Sequence, residues 1–285
     1  MTIEPYRLIR PKARTTSVVF SSPHSGREYP RAFLRNSMLD ELSVRSSEDA
    51  FVDLLFSDAP LLGAPLLAAN APRAYVDLNR SPDELDPALI EGVRKVSHNP
   101  RVCSGLGVIP RVVANGRVIR RGKIRLEEAQ ARLAMFWEPY HAALQALLDE
   151  SHAAFGEAIL IDCHSMPQEA VGGLGRGGVR PDVVLGDRFG AAAQADVVDR
   201  IEAAFAAAGL RVARNAPFAG AYITQHYGRP SRGQHVVQVE INRGLYMDEA
   251  RVRPNADFES FRRVITSVIS EIVAIGSPEM PLAAQ

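Results

Sequence analysis

The sequence is short of several things, and each shortage removes a class of protein. It holds two cysteines in 285 residues, Cys103 and Cys163, too few for the disulfide framework that staples small secreted domains. Charge is balanced, with 33 Lys+Arg against 33 Asp+Glu, so there is no basic excess for nucleic acid and no polybasic anchor for a membrane surface. Long apolar runs are missing as well. The longest nearly apolar stretch, Ala59 to Ala69, is broken by Pro60, Gly63 and Pro65 and falls well short of the roughly 20 residues that span a bilayer. The N-terminal segment lacks the apolar centre of a secretory signal, which makes a reducing cytoplasm the expected compartment. No repeat, low-complexity tract or linker divides the chain, and this predicts a single domain over residues 1–285. What is plentiful is core-forming material: 46% hydrophobic residues against 23% charged excludes disorder for most of the chain.

Short β-branched runs that end abruptly in polar residues predict buried strands at Thr16–Ser22, Ala74–Leu78, Ala158–Cys163, Asp182–Leu185 and His235–Ile241. Helical periodicity fills much of the remainder. Apolar residues recur at steps of three and four from Leu126 to Leu148, with a kink expected at Pro139; further helices are expected at Arg188–Ala208, stopped by Gly209, and at Ala256–Ile275. This alternation predicts an α/β fold, in which ligands gather beyond the carboxyl ends of the strands.

Two of those strand ends deliver a His-Ser pair, His24-Ser25 and His164-Ser165, and each imidazole is expected to face the crevice. A catalytic zinc site commonly takes two histidines and one carboxylate and leaves a position open, so an acidic partner is needed. Glu48 and Asp49 precede the apolar stretch Ala50–Phe56, where an acidic side chain could equally cap a helix. Glu240 lies alone among apolar neighbours in Gln238–Arg243. A carboxylate so placed must pair with a cation such as Arg243, contact a metal, or hold a raised pKa suited to proton transfer. The segment Arg73–Arg80 leads into Asp77, Asn79 and Arg80, and a second Asn-Arg pair stands at Asn242-Arg243. Arginine forks of this kind bind carboxylates bidentately, which points to a small carboxylate-bearing substrate. The glycine-rich run Gly173–Gly178 precedes a strand instead of opening a helix, so it is expected to be a surface loop or a flap and not a dinucleotide site. Adjacent strand residues face opposite ways, which assigns Cys163 to the core and excludes a dyad with His164.

The ordered set PHSG at 23–26, the acidic pair at 48–49, VDLNRSP at 76–82, DCHSMP at 162–167, PDVVLGDRFG at 181–190, AGAYITQHYGRP at 219–230 and QVEINRGLYMDE at 238–249 resembles the N-formylglutamate amidohydrolase family. That family is similar in fold to the zinc carboxypeptidases and aspartoacylases, so the resemblance implies a mixed, mainly parallel sheet flanked by helices. It further implies that His24, Asp49 and His164 bind zinc or another divalent transition metal, with Glu48 and Glu28 as alternative acidic ligands. Glu240 is implied as general base and Arg73 as the group that polarises the scissile carbonyl. Asn79 and Arg80 are implied to grip a substrate carboxylate, with Arg188, Arg229 or Arg243 available for a second one. Tyr222, His226 and Tyr227 are further candidates for substrate contact. The implied reaction splits N-formyl-L-glutamate into formate and glutamate, a step that in bacteria closes one route of histidine degradation. An alternative keeps the metal and acts on another N-acyl amino acid or a small peptide.

Overall fold

The computed structural model describes residues 3–93, 99–172 and 180–278. One sheet of seven strands runs through it: β1 (Tyr6–Ile9), β2 (Val18–Ser22), β3 (Leu66–Ala69), β4 (Ala158–Met166), β5 (Val183–Gly186), β6 (Val212–Arg214) and β7 (Gln234–Asn242), in the spatial order β1-β3-β2-β4-β7-β5-β6. The β3-β2-β4-β7 centre is parallel, while β1 pairs antiparallel with β3 and β5 antiparallel with β7. The sheet is therefore mixed and mainly parallel. A hairpin of β8 (Met247–Asp248) and β9 (Arg253–Pro254) stands apart from it.

Every residue of β2, β3, β4 and β5 is buried, as expected of strands covered on both faces, which is why their sequences read as continuous apolar runs. Among the described residues the helices are α1 (Arg31–Arg35), α2 (Glu41–Val44), α3 (Val52–Leu55), α4 (Pro100–Cys103), α5 (Leu126–Arg132), α6 (Glu138–Phe155), α7 (Ala195–Ala207), α8 (Tyr222–Tyr227) and α9 (Phe258–Ile275). Residues of odd number on β4 and β7, such as Ile161, Cys163 and Val239, pack under α3, α7 and α9. Residues of even number, such as Leu160 and Val236, pack under α5, α6 and α8. Cys163 lies on the side of the sheet away from His164, as strand alternation requires.

Two expectations change, and one strand was not foreseen. Ala74–Leu78 is not a strand: Tyr75 and Val76 donate to the Pro72 carbonyl, so the segment turns, and its apolar residues are buried by α5, α6 and their surroundings. The interrupted apolar run that ends at Ala69 contains strand β3, a type of segment for which periodicity cannot separate strand from loop. The helix expected from Arg188 starts only at Ala195, because Arg188 and Phe189 adopt left-handed φ angles of 56° and 57°. Between α5 and α6 the chain makes a π-helical turn, Leu133–Trp137, just ahead of Pro139; the wider turn accommodates the proline ring and its missing N–H without ending the helical run.

Candidate active site

The carboxyl ends of β2, β4 and β7 share one edge of the sheet, and their polar residues meet there. Register places Asp162 beside Gln238 and His164 beside Glu240, all four on one face. His24 follows β2 in a loop that lies directly against the backbone of residues 70–71. A Cβ at Gly26 would come 2.1 Å from the Ala71 carbonyl oxygen, so only glycine permits this approach. Asp49 arrives from the segment before α3, tied by its N–H to the His24 carbonyl at 3.0 Å. Phe51, two residues on, takes φ +67°, an unfavourable conformation for an aromatic residue that turns the chain immediately after Asp49.

His24, Asp49 and His164 form a buried cluster in which one ligand atom from each lies within 4.8 Å of the others. Asp49 Oδ2 is 2.9 Å from His164 Nδ1 and 3.3 Å from His24 Nδ1. Behind the rings stand two more buried carboxylates: His24 Nε2 donates to Asp77 Oδ1 at 2.7 Å, and His164 Nε2 lies 3.0 Å from Asp162 Oδ2. With the proton on Nε2, as a carboxylate behind the ring favours, each Nδ1 would offer its lone pair to a cation shared with Asp49, the arrangement found behind metal-ligating histidines. The group fits a divalent metal on a further observation, since His24 Nδ1 is buried with no hydrogen-bond partner. Two imidazoles and a carboxylate make up the donor set of a catalytic zinc site, although the donors alone also admit Co, Mn or Ni.

Electrostatics tighten the cluster. Burial by itself would raise the pKa of Asp49, but the neighbouring His164 and His24 imidazoles outweigh it and hold this carboxyl well below the usual carboxylate range. Burial would likewise depress His164, yet Asp162 and Asp49 carry its pKa well above that of a free imidazole. Asp77 stays ionised against its burial because Arg73, His24 and Arg80 surround it. Glu240 behaves differently. It is buried, and among the described residues its side chain accepts a hydrogen bond from Gln238 Nε2 at 2.9 Å; burial pushes its pKa up to about 7.

His24, Asp49, Asp77, His164, Gln238 and Glu240 line a cavity of about 390 Å³ together with Arg73, Arg80, Arg101, Arg243, Asn79 and residues 217–221. Gly186 lets that last segment close in, because a Cβ there would meet the Ala219 carbonyl carbon and Gly220 nitrogen at 2.8 Å. Arg73 borders the cavity and anchors its Nε on Asp77 at 2.9 Å, with no hydrogen bond from its outer guanidinium nitrogens among the described residues. Arg80 is held by backbone: its Nε donates to the Leu106 carbonyl and its Nη1 to that of Asn79. The 78–80 segment is in turn clamped by His141, whose Nε2 donates to the Leu78 carbonyl, and by Trp137, whose Nε1 donates to that of Arg80.

Several candidates fall elsewhere. Glu48 binds Arg45 and the Tyr29 hydroxyl, and Glu28 is exposed, so neither joins the histidines. Arg243 borders the cavity, but its guanidinium is committed to Asp49, Ser165 and the Ser46 carbonyl. Asn79 is committed too, accepting from Ile223 N and donating to Asp162. Arg188, Tyr222 and Arg229 do not line the cavity. Arg188 is set aside by its left-handed turn, and Tyr222 packs on Trp137 and His141 beneath the 78–80 segment. Arg229 is exposed and donates to the Gln225 and Gly228 carbonyls, in a separate surface hollow with His226 and Tyr227. The glycine-rich run Gly173–Gly178 lies outside the described residues. Asp162, Gln238 and Arg101 were not singled out from the sequence. The first two had a usable signal, since residues two apart on a strand share a face and stand beside His164 and Glu240.

The comparisons agree with this geometry. Relatives named N-formylglutamate deformylase include one from Pseudomonas aeruginosa, 33% identical over 264 residues and covering 91% of this chain and 93% of its own, and one from Pseudomonas putida, 31% identical over 235 residues and covering 81% and 82%. A crystal structure of N-formylglutamate amidohydrolase from Ralstonia eutropha superposes with a TM-score of 0.90 at 33% identity, covering 96% of this chain and 99% of that one. A protein of known structure from Agrobacterium tumefaciens shares the fold at a TM-score of 0.62 and 17% identity, covering 94% and 96%. With the profile described as N-formylglutamate amidohydrolase matching residues 16–247, the chain belongs to the N-formylglutamate amidohydrolase family.

Proposed function

We propose that this enzyme hydrolyses the formamide bond of N-formyl-L-glutamate to formate and L-glutamate, using a divalent metal, zinc foremost, held by His24, Asp49 and His164. The observation that carries the reading is the buried His-Asp-His cluster, with carboxylates behind both imidazoles and Glu240 on the same cavity wall. The likeness to two proteins named as deformylases supports the choice of substrate. A metal held there supplies Lewis acidity and brings the pKa of a bound water down to about 7.

The chain's own residues do the rest. Glu240, with its pKa near 7, accepts a proton from the attacking water and delivers it to the departing amine nitrogen. Arg73 directs its outer N–H groups to the carbonyl oxygen, whose negative charge grows as the carbon becomes tetrahedral. Asp77 keeps that guanidinium in place at 2.9 Å. Arg80 takes a substrate carboxylate, while Asn79 orients Asp162 and the backbone of α8 instead of touching substrate.

The test is formate release from N-formyl-L-glutamate by the purified protein, before and after chelation and after zinc is restored. Release that stops on chelation and returns with zinc is the expected result. A folded, zinc-loaded sample that releases no formate overturns the substrate assignment and turns the assay to other N-acyl amino acids.

A further inference from the structure

Four arginines line the cavity, and their surroundings divide them into two pairs. Arg73 and Arg243 each touch a carboxylate of the cavity wall, Asp77 and Asp49 respectively. Arg80 and Arg101 do not. For Arg80 the nearest carboxylate oxygen is Asp77 Oδ2 at 4.0 Å, and Arg73 already holds that atom at 2.9 Å. Arg80 is nonetheless only 7% exposed, so a buried cation faces the cavity with its nearest carboxylate, among the described residues, at 4.0 Å and shared with Arg73. Burial without a matched counter-charge is costly and leaves a strong demand for an anionic ligand.

Arg101 sits beside it on α4, and one short turn organises both. Leu106 donates its N–H to the Arg101 carbonyl at 2.8 Å and receives the Arg80 Nε on its own carbonyl at 3.1 Å. The Arg101 guanidinium makes no hydrogen bond or ion pair among the described residues. Its charge is near enough to disfavour the cationic form of Arg80, the direction in which burial also acts. Two neighbouring like charges, Arg80 paired only loosely with Asp77 and Arg101 exposed with no partner among the described residues, match a ligand that brings two negative charges.

We infer that Arg101 is the specificity-determining residue of the site, receiving the second carboxylate of a dicarboxylic N-acyl substrate whose first carboxylate rests on Arg80. This rests on the hydrolase reading above and adds a residue and a charge requirement to it. Neither Arg188 nor Arg229 borders the cavity, and Arg243 is occupied by Asp49, which leaves Arg101 as the lining arginine for this task among the described residues.

The experiment compares formate release from N-formyl-L-glutamate and from its uncharged isostere N-formyl-L-glutamine, for the wild type, Arg101→Ala and Arg101→Lys. The wild type should favour the dicarboxylate. In Arg101→Ala the ratio of kcat/KM between the two substrates should fall by about tenfold to a hundredfold, the scale of one charge-assisted hydrogen-bonded contact, through KM more than kcat, and Arg101→Lys should restore part of it. An unchanged ratio in Arg101→Ala overturns the inference. Calorimetric titration with glutarate and butyrate separates this from the hydrolase reading. If the wild type releases no formate yet prefers glutarate and Arg101→Ala does not, the reaction was misassigned and the seat stands; equal glutarate affinity in both proteins rejects the seat.

Discussion

Replacing Asp162 by asparagine isolates the contribution of the carboxylates behind the imidazoles. Asp162 is fully buried, and its Oδ2 lies 3.0 Å from His164 Nε2 and accepts from Asn79 Nδ2 at 3.3 Å. Asparagine keeps the shape and one acceptor oxygen but removes the charge. Because two donors face the Oδ2 position, the new amide nitrogen must take the Oδ1 position, which is buried and without a partner. A hydrogen bond to a charged group contributes about 1.5–3 kcal/mol and a neutral one about 0.5–1.5, so the loss to the imidazole is about 1–1.5 kcal/mol, or roughly tenfold in metal affinity. Loss of such carboxylates reaches about a hundredfold when the ring also reorients. The orphaned amide N–H costs about 1–3 kcal/mol of stability, which the protein should survive with a Tm lowered by several degrees. The assay is competition for zinc against a chromophoric chelator, with thermal unfolding as the control for folding. A folded Asp162→Asn protein whose zinc affinity lies within about twofold of the wild type would refute the carboxylate's role in tuning the ligand.

Other perturbations test other parts. Glu240→Gln should retain metal by elemental analysis and lose about 10²–10⁴ in kcat, the usual worth of a positioned general base; near-wild-type turnover removes Glu240 from proton transfer. Arg73→Ala should lower kcat by about 10²–10³ with a smaller change in KM, and a change confined to KM would make Arg73 a ground-state contact instead. His141 supplies a pH prediction away from the metal cluster. Burial lowers its pKa from 6.5 to about 4, so the folded state resists a proton that the unfolded state accepts. Its contribution is fully present above pH 6.5 and is lost as the pH falls toward 4, by up to about 3 kcal/mol. Urea unfolding of His141→Gln should show a shallower decline over that window than the wild type, and parallel declines would contradict the assignment.

Much of the fold was legible in the chain. Strands β2, β4, β5 and β7 are short β-branched runs with abrupt polar ends, and α9 carries its apolar stripe in plain helical period. The segments misread were those in which tertiary contacts override local pattern. Residues 74–78 are apolar because helices cover them and not because they enter the sheet, and residues 188–194 lose helix to left-handed turns.

Local sequence by itself determined which residue types stood at the strand ends: strand alternation directs His164 and Glu240 to one face, His24 stands just past the end of β2, and an α/β pattern says where the crevice lies. Only the tertiary structure shows that Asp49, and not Glu48 or Glu28, lies against the two imidazoles, because that depends on how the chain brings together residues more than 20 and 100 positions apart. It alone also sorted the arginines. Each guanidinium is bound or free according to neighbours distant in sequence, Asp49 for Arg243, 194 residues away, and the Leu106 turn for Arg80. A side chain's type is written in the chain, whereas whether its charge is already neutralised is a property of the packed molecule, and that is what separates a structural ion pair from a group left to meet a substrate.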